Sequence, residues 1–171
     1  VQLCSDLEKL LSDDEWIDAY TGDFLQGFIV KDEEALENWI LISREKYKSI
    51  YVQKLYEKIK EDFSNNDYES VEQCARRLIE IDEYDERAYR VLIKALAEMN
   101  MYNKAADIYD KLSDKLKKDL GIIPDIKTRN LYKNIQKKRS STDLNVISND
   151  QKIFYGRKQE LAILNSNYSG F

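Results

Sequence analysis

The chain has 171 residues, enough for one core of ordinary size and too few for two large domains. It carries one Pro and five Gly, with 43% hydrophobic and 35% charged residues, a composition typical of a helical domain. The net charge is −5 and there is no His, which excludes His-based general-base catalysis and zinc sites of the Cys/His type. Charge is unevenly distributed, because residues 1–37 hold eleven acidic and two basic side chains, whereas residues 104–139 hold eleven basic and five acidic ones. Such polarity is typical of two solvated faces or of a docking surface.

The N-terminal part predicts a helix followed by a loop with two glycines. Residues 6–20 place apolar side chains close to helical spacing, which predicts a first helix that two consecutive Asp residues can divide. Residues 20–28 follow with the sequence YTGDFLQGF. We expect this glycine loop to bury Phe24, Leu25 and Phe28 against a neighbouring helix pair. Gly22 is expected to adopt a positive φ.

A long helix is predicted next, from a cap at Asp32 to about residue 63. Glu33 and Glu34 fall in its first turn, where negative charge is favourable near a helix N-terminus. One apolar stripe follows the helix, as expected for an amphipathic element of about 30 residues. The stripe consists of Leu36, Ile40, Tyr47, Tyr51, Leu55 and Ile59, with Trp39, Ile50 and Phe63 beside it.

From residue 52 to about residue 119 the sequence repeats with a period of 34 residues. The aligned positions are Leu55, Tyr68, Val71, Ala75 and Leu78 with Tyr89, Tyr102, Ala105, Tyr109 and Leu112. This is the period of the tetratricopeptide (TPR) unit, in which two antiparallel helices bury their faces by stacking on neighbours. We therefore predict helices near residues 67–81, 85–99 and 102–119, with left-handed residues in the Asn-containing turns between them. The predicted fold is all-α, with TPR-like antiparallel helix pairs stacked as a short right-handed superhelix.

The repeat region ends at the sequence DLGIIP, residues 119–124. Gly121 is the expected C-terminal cap and Pro124 prevents the helix from continuing. Asp125 caps a last helix that is predicted to reach about residue 138. Its inward face is predicted to hold Thr128, Leu131, Tyr132 and Ile135.

The sequence lacks the motifs of an enzyme. It has no Gly-x-x-x-x-Gly-Lys-Ser/Thr phosphate loop, no cluster of metal-ligating residues and no nucleophile beside a base, so we predict no catalysis, no cofactor and no metal. No apolar run reaches about 18 residues, which argues against a membrane-spanning segment. Two distant cysteines, Cys4 and Cys74, without a secretory signal indicate a reducing cytoplasm, with Cys74 in the core. Direct DNA binding is disfavoured by the negative net charge and by the absence of a compact recognition helix.

Four separated motifs distinguish this chain from a generic TPR sequence. They are the glycine loop at residues 20–28, E-N-W and R-E within residues 37–45, D-L-G-I-I-P at residues 119–124, and T-x-x-L-Y at residues 128–132. Their order and spacing resemble those of the bacterial transcriptional activator domain, the TPR-like module of SARP-type and AfsR-like regulators, over residues 6–137. The chain departs from the family at residues 83–84, where Glu-Tyr replaces a common Asp-Pro.

The resemblance also predicts what precedes and follows the module. In this family it follows a winged helix-turn-helix DNA-binding domain, and the first residue here is Val1, so we expect a segment of a longer protein. Residues 139–152 are polar and aperiodic, which predicts a linker. Residues 153–161 (IFYGRKQEL) resemble the F-V-G-R-x-x-E-L opening of STAND-type signalling ATPases. We therefore predict an activator domain at residues 1–138, the linker, and the start of a signalling ATPase at residues 153–171.

Together these features imply a cytoplasmic regulatory module that acts through protein–protein contacts. It would couple the winged helix-turn-helix domain to signal input or oligomerisation, and DNA contact would belong to that domain alone. The implied partners are the protein's own DNA-binding and ATPase domains, a second subunit as a homodimer, and RNA polymerase, with no membrane. The alternative is a generic TPR scaffold unrelated to transcription, against which the glycine loop discriminates.

The TPR register also predicts a partner-binding groove, because the first helix of each unit lines the concave face. The groove residues are Tyr56, Lys60, Phe63, Arg87, Arg90 and Lys94. The register also turns Gln53 and Glu98 inward, and four of these eight positions are basic although the chain is acidic. Arg forms two-pronged contacts with carboxylates, and aromatic rings supply contact area. We therefore expect the groove to bind an acidic, partly apolar segment in cis or in trans. Two alternatives stay open: the bases pair only with neighbouring carboxylates, or the acidic residues 1–37 fill the groove.

Overall fold

The computed structural model describes residues 16–19, 22, 24–28 and 33–140, and every regular element in these ranges is a helix. The helices are α1 (Trp16–Ala19), α2 (Glu34–Asn65), α3 (Tyr68–Ile81), α4 (Glu86–Glu98), α5 (Tyr102–Leu120) and α6 (residues 126–140). The predicted all-α, TPR-like class is confirmed, and the bounds of α3, α4 and α5 agree with the prediction to within one residue. Three predictions lie outside the described ranges. They are most of the first helix, the cap of the long helix at Asp32, and the linker and ATPase start within residues 141–171.

Helix α2 has 32 residues and forms a hairpin with α3. Of its predicted stripe, Ile40, Tyr51, Leu55 and Ile59 are buried and Tyr47 is partly buried, whereas Leu36 and Trp39 in the first turns are exposed. Helix α3 has 14 residues and packs back along α2 from their common turn, so it is too short to reach those first turns. The N-terminal end of the predicted stripe is therefore surface rather than core.

One hydrophobic cluster joins α2, α3 and α4. It consists of Tyr51, Leu55, Ile59, Val71, Cys74, Leu78, Ala88 and Ala95. The core position predicted for Cys74 is confirmed, and burial raises the pKa of its thiol above the ordinary value. Removing such side chains from water is the main stabilising contribution to a helix hairpin of this size.

The two turns that separate α2 from α3 and α4 from α5 have the same geometry. Asn66 and Asn100 are both left-handed, with φ of 59° and 60°. The Tyr68 hydroxyl donates to Oδ1 of Asn66 at 2.8 Å, and the Tyr102 hydroxyl donates to Oδ1 of Asn100 at 3.0 Å. Asn adopts the left-handed region more readily than most residues, so the predicted turns are confirmed with their 34-residue spacing.

The turn between α5 and α6 also follows the sequence prediction. Gly121 is left-handed at φ 69° and ends α5, and Oδ1 of Asp125 accepts a 2.7 Å hydrogen bond from the Thr128 backbone N–H at the start of α6. The Tyr109 ring stacks on the Tyr132 ring with centroids 3.9 Å apart. Helix α6 is thus held by a cap at its N-terminus and by an aromatic contact one turn further on.

The chain divides into two compact units, and the boundary falls inside α4 after Ala95. All six predicted groove residues belong to the first unit, and the turn between α5 and α6 belongs to the second.

Candidate partner-binding surface

Tyr56 is the centre of the predicted groove and connects α2 to the start of α4. Its hydroxyl donates a 2.6 Å hydrogen bond to Oδ2 of Asp85. The guanidinium carbon of Arg87 lies 3.7 Å from the centroid of the Tyr56 ring, well within the range of a cation–π contact. The phenol is therefore fixed at both its polar end and its face.

Asp85 holds this arrangement because it also caps α4. Its Oδ1 accepts hydrogen bonds from the backbone N–H groups of Arg87 at 2.8 Å and Ala88 at 3.3 Å, which a helix leaves without intrahelical partners in its first turn. Burial, and then the hydrogen bond to Asp85, raise the pKa of Tyr56 well above its ordinary value. The hydroxyl is consequently protonated at neutral pH and acts as the donor.

Arg90 belongs to the same site, one helical turn beyond Arg87. The positive charges of Arg87 and Arg90 both favour the ionised phenol and so oppose the rise in the Tyr56 pKa. Of the predicted groove residues, the structure places Tyr56 and Arg87 in direct contact.

The other three predicted groove residues have different environments. Lys60 on α2 and Lys94 on α4 are exposed. Phe63 is partly buried, packs on the core cluster, and meets the Tyr68 ring edge-on at a centroid distance of 5.9 Å. Phe63 therefore contributes to the α2–α3 hairpin, while Lys60 and Lys94 leave positive charge available to a partner.

The glycine loop is fastened to α2 by Arg44. Its Nε donates to the carbonyl oxygen of Phe24 at 2.7 Å, and its Nη2 donates to that of Leu25 at 2.8 Å. The Phe24 ring lies 5.8 Å from the Trp39 ring and 5.2 Å from the Tyr47 ring. The planar fork of Arg supplies both backbone contacts at once, which gives the R-E motif a structural role.

Two expectations for the glycine loop are wrong. Phe28 is 56% exposed rather than buried, and the left-handed residues are Leu25 at φ 54° and Gly27 at φ 79° rather than Gly22. The reversal takes place in residues 24–27, where the Phe28 backbone N–H donates to the Leu25 carbonyl at 3.0 Å. Positive φ is needed inside that reversal, after Gly22, and Phe28 emerges beyond it on the solvent side.

Helix α1 contacts the α2–α3 hairpin through the carbonyl oxygen of Ile17. This oxygen accepts hydrogen bonds from the Tyr51 hydroxyl and from Nη1 of Arg77, both at 2.9 Å. The Trp16 ring meets the Tyr51 ring edge-on at 5.8 Å, and Nζ of Lys54 lies 5.5 Å from the Trp16 centroid. No spacing rule indicates this contact, because it joins residues far apart in the chain.

Asp62 is a buried carboxylate that the sequence analysis did not identify. Nζ of Lys58 lies 3.0 Å from its Oδ1, and the Ser70 hydroxyl donates to its Oδ2 at 2.6 Å. The hydrogen bond to Asp62 raises the pKa of Lys58. An Asp four residues after a Lys, next to an apolar stripe, was the available signal. Its partners all lie within the hairpin, so Asp62 has a structural role.

The described residues include no group of three or more His, Cys, Asp or Glu side chains placed to hold a metal ion. None of the helices described is both long enough and apolar enough to cross a membrane.

Comparison with known proteins identifies one family. A family model described as the bacterial transcriptional activator domain matches residues 13–136, more than two-thirds of the chain, and this range includes α1 to α5 and most of α6. No curated protein and no solved structure matches the chain.

Proposed function

Because the chain belongs to the bacterial transcriptional activator domain family, we propose that it is the regulatory protein-interaction module of a DNA-binding activator. The family is one of transcription regulators and not of enzymes. In our proposal the module couples a preceding winged helix-turn-helix domain to signal input or oligomerisation. The resemblance of the glycine loop and of the residues 119–124 turn to SARP-type and AfsR-like regulators supports this arrangement.

The observation that carries the proposal is the contact between Arg87 and the Tyr56 ring, with Arg90 one helical turn further along α4. Together with the exposed Lys60 and Lys94, these three residues form what we call the basic face. A fixed aromatic ring among guanidinium and ammonium groups suits a carboxylate-bearing, partly apolar segment, because Arg binds carboxylates with two hydrogen bonds and aromatic rings supply contact area. Our proposal is that the basic face binds such an acidic segment of a protein partner.

The strength of this contact depends on how much charge stays available on the basic face. Asp85 is bonded to Tyr56 and to the start of α4, and its negative charge partly offsets the positive charge of the nearby Arg87. Lys60 and Lys94 are exposed and supply rim charge, which affects association rate and salt dependence more than the final affinity. They are therefore the positions at which binding can be altered without disturbing the fold.

The test is the double change Lys60→Glu and Lys94→Glu in the full-length regulator. We expect reporter transcription to fall by about tenfold, because reversing both rim charges replaces attraction of an acidic segment by repulsion and slows its association, with the melting temperature unchanged. The matched control is Lys104→Glu with Lys111→Glu, two exposed lysines of α5 that undergo the same charge change. Wild-type transcription from the first pair, or an equal loss from both pairs, would contradict the proposed role of the basic face.

The domain arrangement is tested by the coding sequence on either side of this chain. Residues 153–161 resemble the opening of a STAND-type ATPase, so we expect a phosphate loop downstream and a winged helix-turn-helix domain upstream. A neighbouring sequence without a DNA-binding domain would contradict the proposal and favour a scaffold role.

A further inference from the structure

The turn between α5 and α6 exposes a cluster of aliphatic side chains. Leu120, Ile122, Ile123 and Ile126 fall within seven residues and are between 49% and 64% exposed. We call them the aliphatic patch. The neighbouring exposed bases are Lys117, Lys118 and Lys127, and the neighbouring acids are Asp119, which pairs with Lys115, and Asp125, which caps α6. Three bases against two acids leave residues 117–127 with a net positive charge of one.

The aliphatic patch is held in a defined conformation. Gly121 ends α5 in the left-handed region, and the Ile122 backbone N–H donates to the Leu116 carbonyl at 3.3 Å. On the other side Pro124 is buried and Asp125 caps α6. Backbone hydrogen bonds, a buried Pro and a helix cap fix the conformation of this turn. Its isoleucines are therefore exposed on an ordered surface.

A second group of exposed apolar side chains lies at the end of the glycine loop and on the first turns of α2. Its members are Phe28 in the loop and Leu36, Trp39, Leu41 and Ile42 on the helix, of which Ile42 is the most exposed at 69%. We call them the acidic apolar patch, because residues 33–42 contain Glu33, Glu34 and Glu37 and no basic residue. Trp39 is positioned by its edge contact with Phe24, so this surface too is preformed.

The two patches are complementary in chemistry. Each is rich in exposed aliphatic or aromatic side chains, which is unusual for a surface that faces only water. One lies among lysines and the other among glutamates, so their association buries apolar area while it pairs opposite charges at the rim. We propose that the aliphatic patch of one copy binds the acidic apolar patch of a second copy.

Such a contact is heterologous, because the two copies contribute different surfaces. A heterologous contact leaves one patch free on each end of a pair, so it adds further copies unless a ring closes. This inference rests on the proposed function, which includes oligomerisation, and names the two surfaces that would mediate it. It uses none of the basic face, so the Lys60→Glu and Lys94→Glu variant is expected to associate like the wild type.

The test is sedimentation equilibrium of the 171-residue chain and two variants, Ile42→Asp and Ile123→Asp, from about 10 to about 500 µM, the concentrations at which weak protein contacts are detected. The wild-type average mass is expected to rise with concentration and to exceed that of a dimer. Each variant is expected to bind at least about tenfold more weakly. Met101→Asp, which replaces an exposed apolar residue outside both patches, is the matched control and is expected to match the wild type.

Mixing the two variants separates this contact from a symmetric one. Ile42→Asp retains an intact aliphatic patch and Ile123→Asp retains an intact acidic apolar patch, so an equimolar mixture is expected to form one-to-one pairs and nothing larger. A wild-type chain that stays monomeric, variants that associate like the wild type, or a mixture that stays monomeric would each overturn the proposal. A monomeric chain whose melting temperature drops in Ile123→Asp would also overturn it, because the patch would then be covered within one copy.

Discussion

The two 34-residue repeats share a turn but differ in the core beneath it. At the first turn the Asp67 N–H donates to the Asp62 carbonyl at 2.9 Å, and at the second the Met101 N–H donates to the Leu96 carbonyl at 2.8 Å. The side chains at these equivalent carbonyl positions are a buried carboxylate and a buried Leu. The repeat is thus preserved by backbone geometry and by its Asn residue, while the core chemistry is free to change.

The difference extends to a group of neighbouring positions. The equivalent pairs are Lys58 with Leu92, Asp62 with Leu96, Ser70 with Lys104, and Cys74 with Ile108. In the first repeat Lys58 and Ser70 both bind Asp62, and the Lys58 side chain is 31% exposed, so its ammonium still reaches water. Partial hydration lowers the cost of desolvating the pair, which explains how a carboxylate is tolerated where the next repeat has Leu.

Introducing a carboxylate into the second repeat, at the position equivalent to Asp62, should have the largest effect on the free energy of unfolding. Leu96→Asp would bury a charge at a position whose equivalents of Lys58 and Ser70 are Leu92 and Lys104, so we expect a loss of about 4 kcal/mol or more in the free energy of unfolding. Urea unfolding followed by far-UV circular dichroism measures it. Leu96→Met is the control and should cost less than about 1.5 kcal/mol. Equal unfolding free energies for the two variants would mean that water reaches the side chain at position 96 in the second repeat.

The opposite exchange sharpens the comparison in the first repeat. Asp62→Ala leaves the Ser70 hydroxyl and the Lys58 ammonium without their acceptor, and we expect it to cost about 2–3 kcal/mol in the same unfolding measurement. The double change Lys58→Leu with Asp62→Leu copies the second repeat and should lie within about 1 kcal/mol of the wild type. A double variant as unstable as Asp62→Ala would show that the polar cluster is required by its surroundings.

Features that depend on local spacing were predictable from the sequence. The bounds of α3, α4 and α5, the left-handed Asn66 and Asn100, and the caps at Gly121 and Asp125 each follow from residues within one or two turns. The stripe of α2 was predictable at Ile40, Tyr51, Leu55 and Ile59, which are buried. Periodicity does not reveal that Leu36 and Trp39 in the first turns are exposed, because exposure depends on which other segments cover that end of the helix.

One contact of the candidate site was predictable from the sequence. The TPR register relates α2 to α4 by a fixed repeat and so places Tyr56 and Arg87 on one surface, where the structure has them in contact. It does not reveal that Asp85 binds the Tyr56 hydroxyl or that Phe63 packs into the hairpin, since both depend on the rotamers of two helices in contact. The fork of Arg44 was missed for the same reason, because its acceptors are backbone carbonyls twenty residues away.

Substitutions at Asn66 and Asn100 test whether the two turns, which share the same geometry, also contribute equally to stability. Asn66→Ala and Asn100→Ala each place Ala in the left-handed region and remove the acceptor of a Tyr hydroxyl, so each should cost about 1–2 kcal/mol. Asn→Gly at either position should be close to neutral, because Gly adopts this conformation without strain. Unfolding free energies that differ between the two Ala variants by more than about 1 kcal/mol would break the equivalence.

The smallest expected effect concerns Tyr56, whose equivalent in the second repeat is Arg90. Since burial and the Asp85 hydrogen bond raise the pKa of Tyr56 in the folded state, the protonated phenol stabilises the fold below pH about 10, and this stabilisation is lost as the pH rises through the folded-state pKa. Tyr56→Phe lacks that dependence, while Asp85 keeps its bonds to the start of α4. Between pH 8 and about 11 the wild type should therefore lose more unfolding free energy than Tyr56→Phe, by no more than about 1 kcal/mol once solvent screening of a half-buried group is allowed for. Parallel pH profiles for the two proteins would mean that the phenol ionises as freely in the folded chain as in the unfolded one, and that Tyr56 does not depend on Asp85.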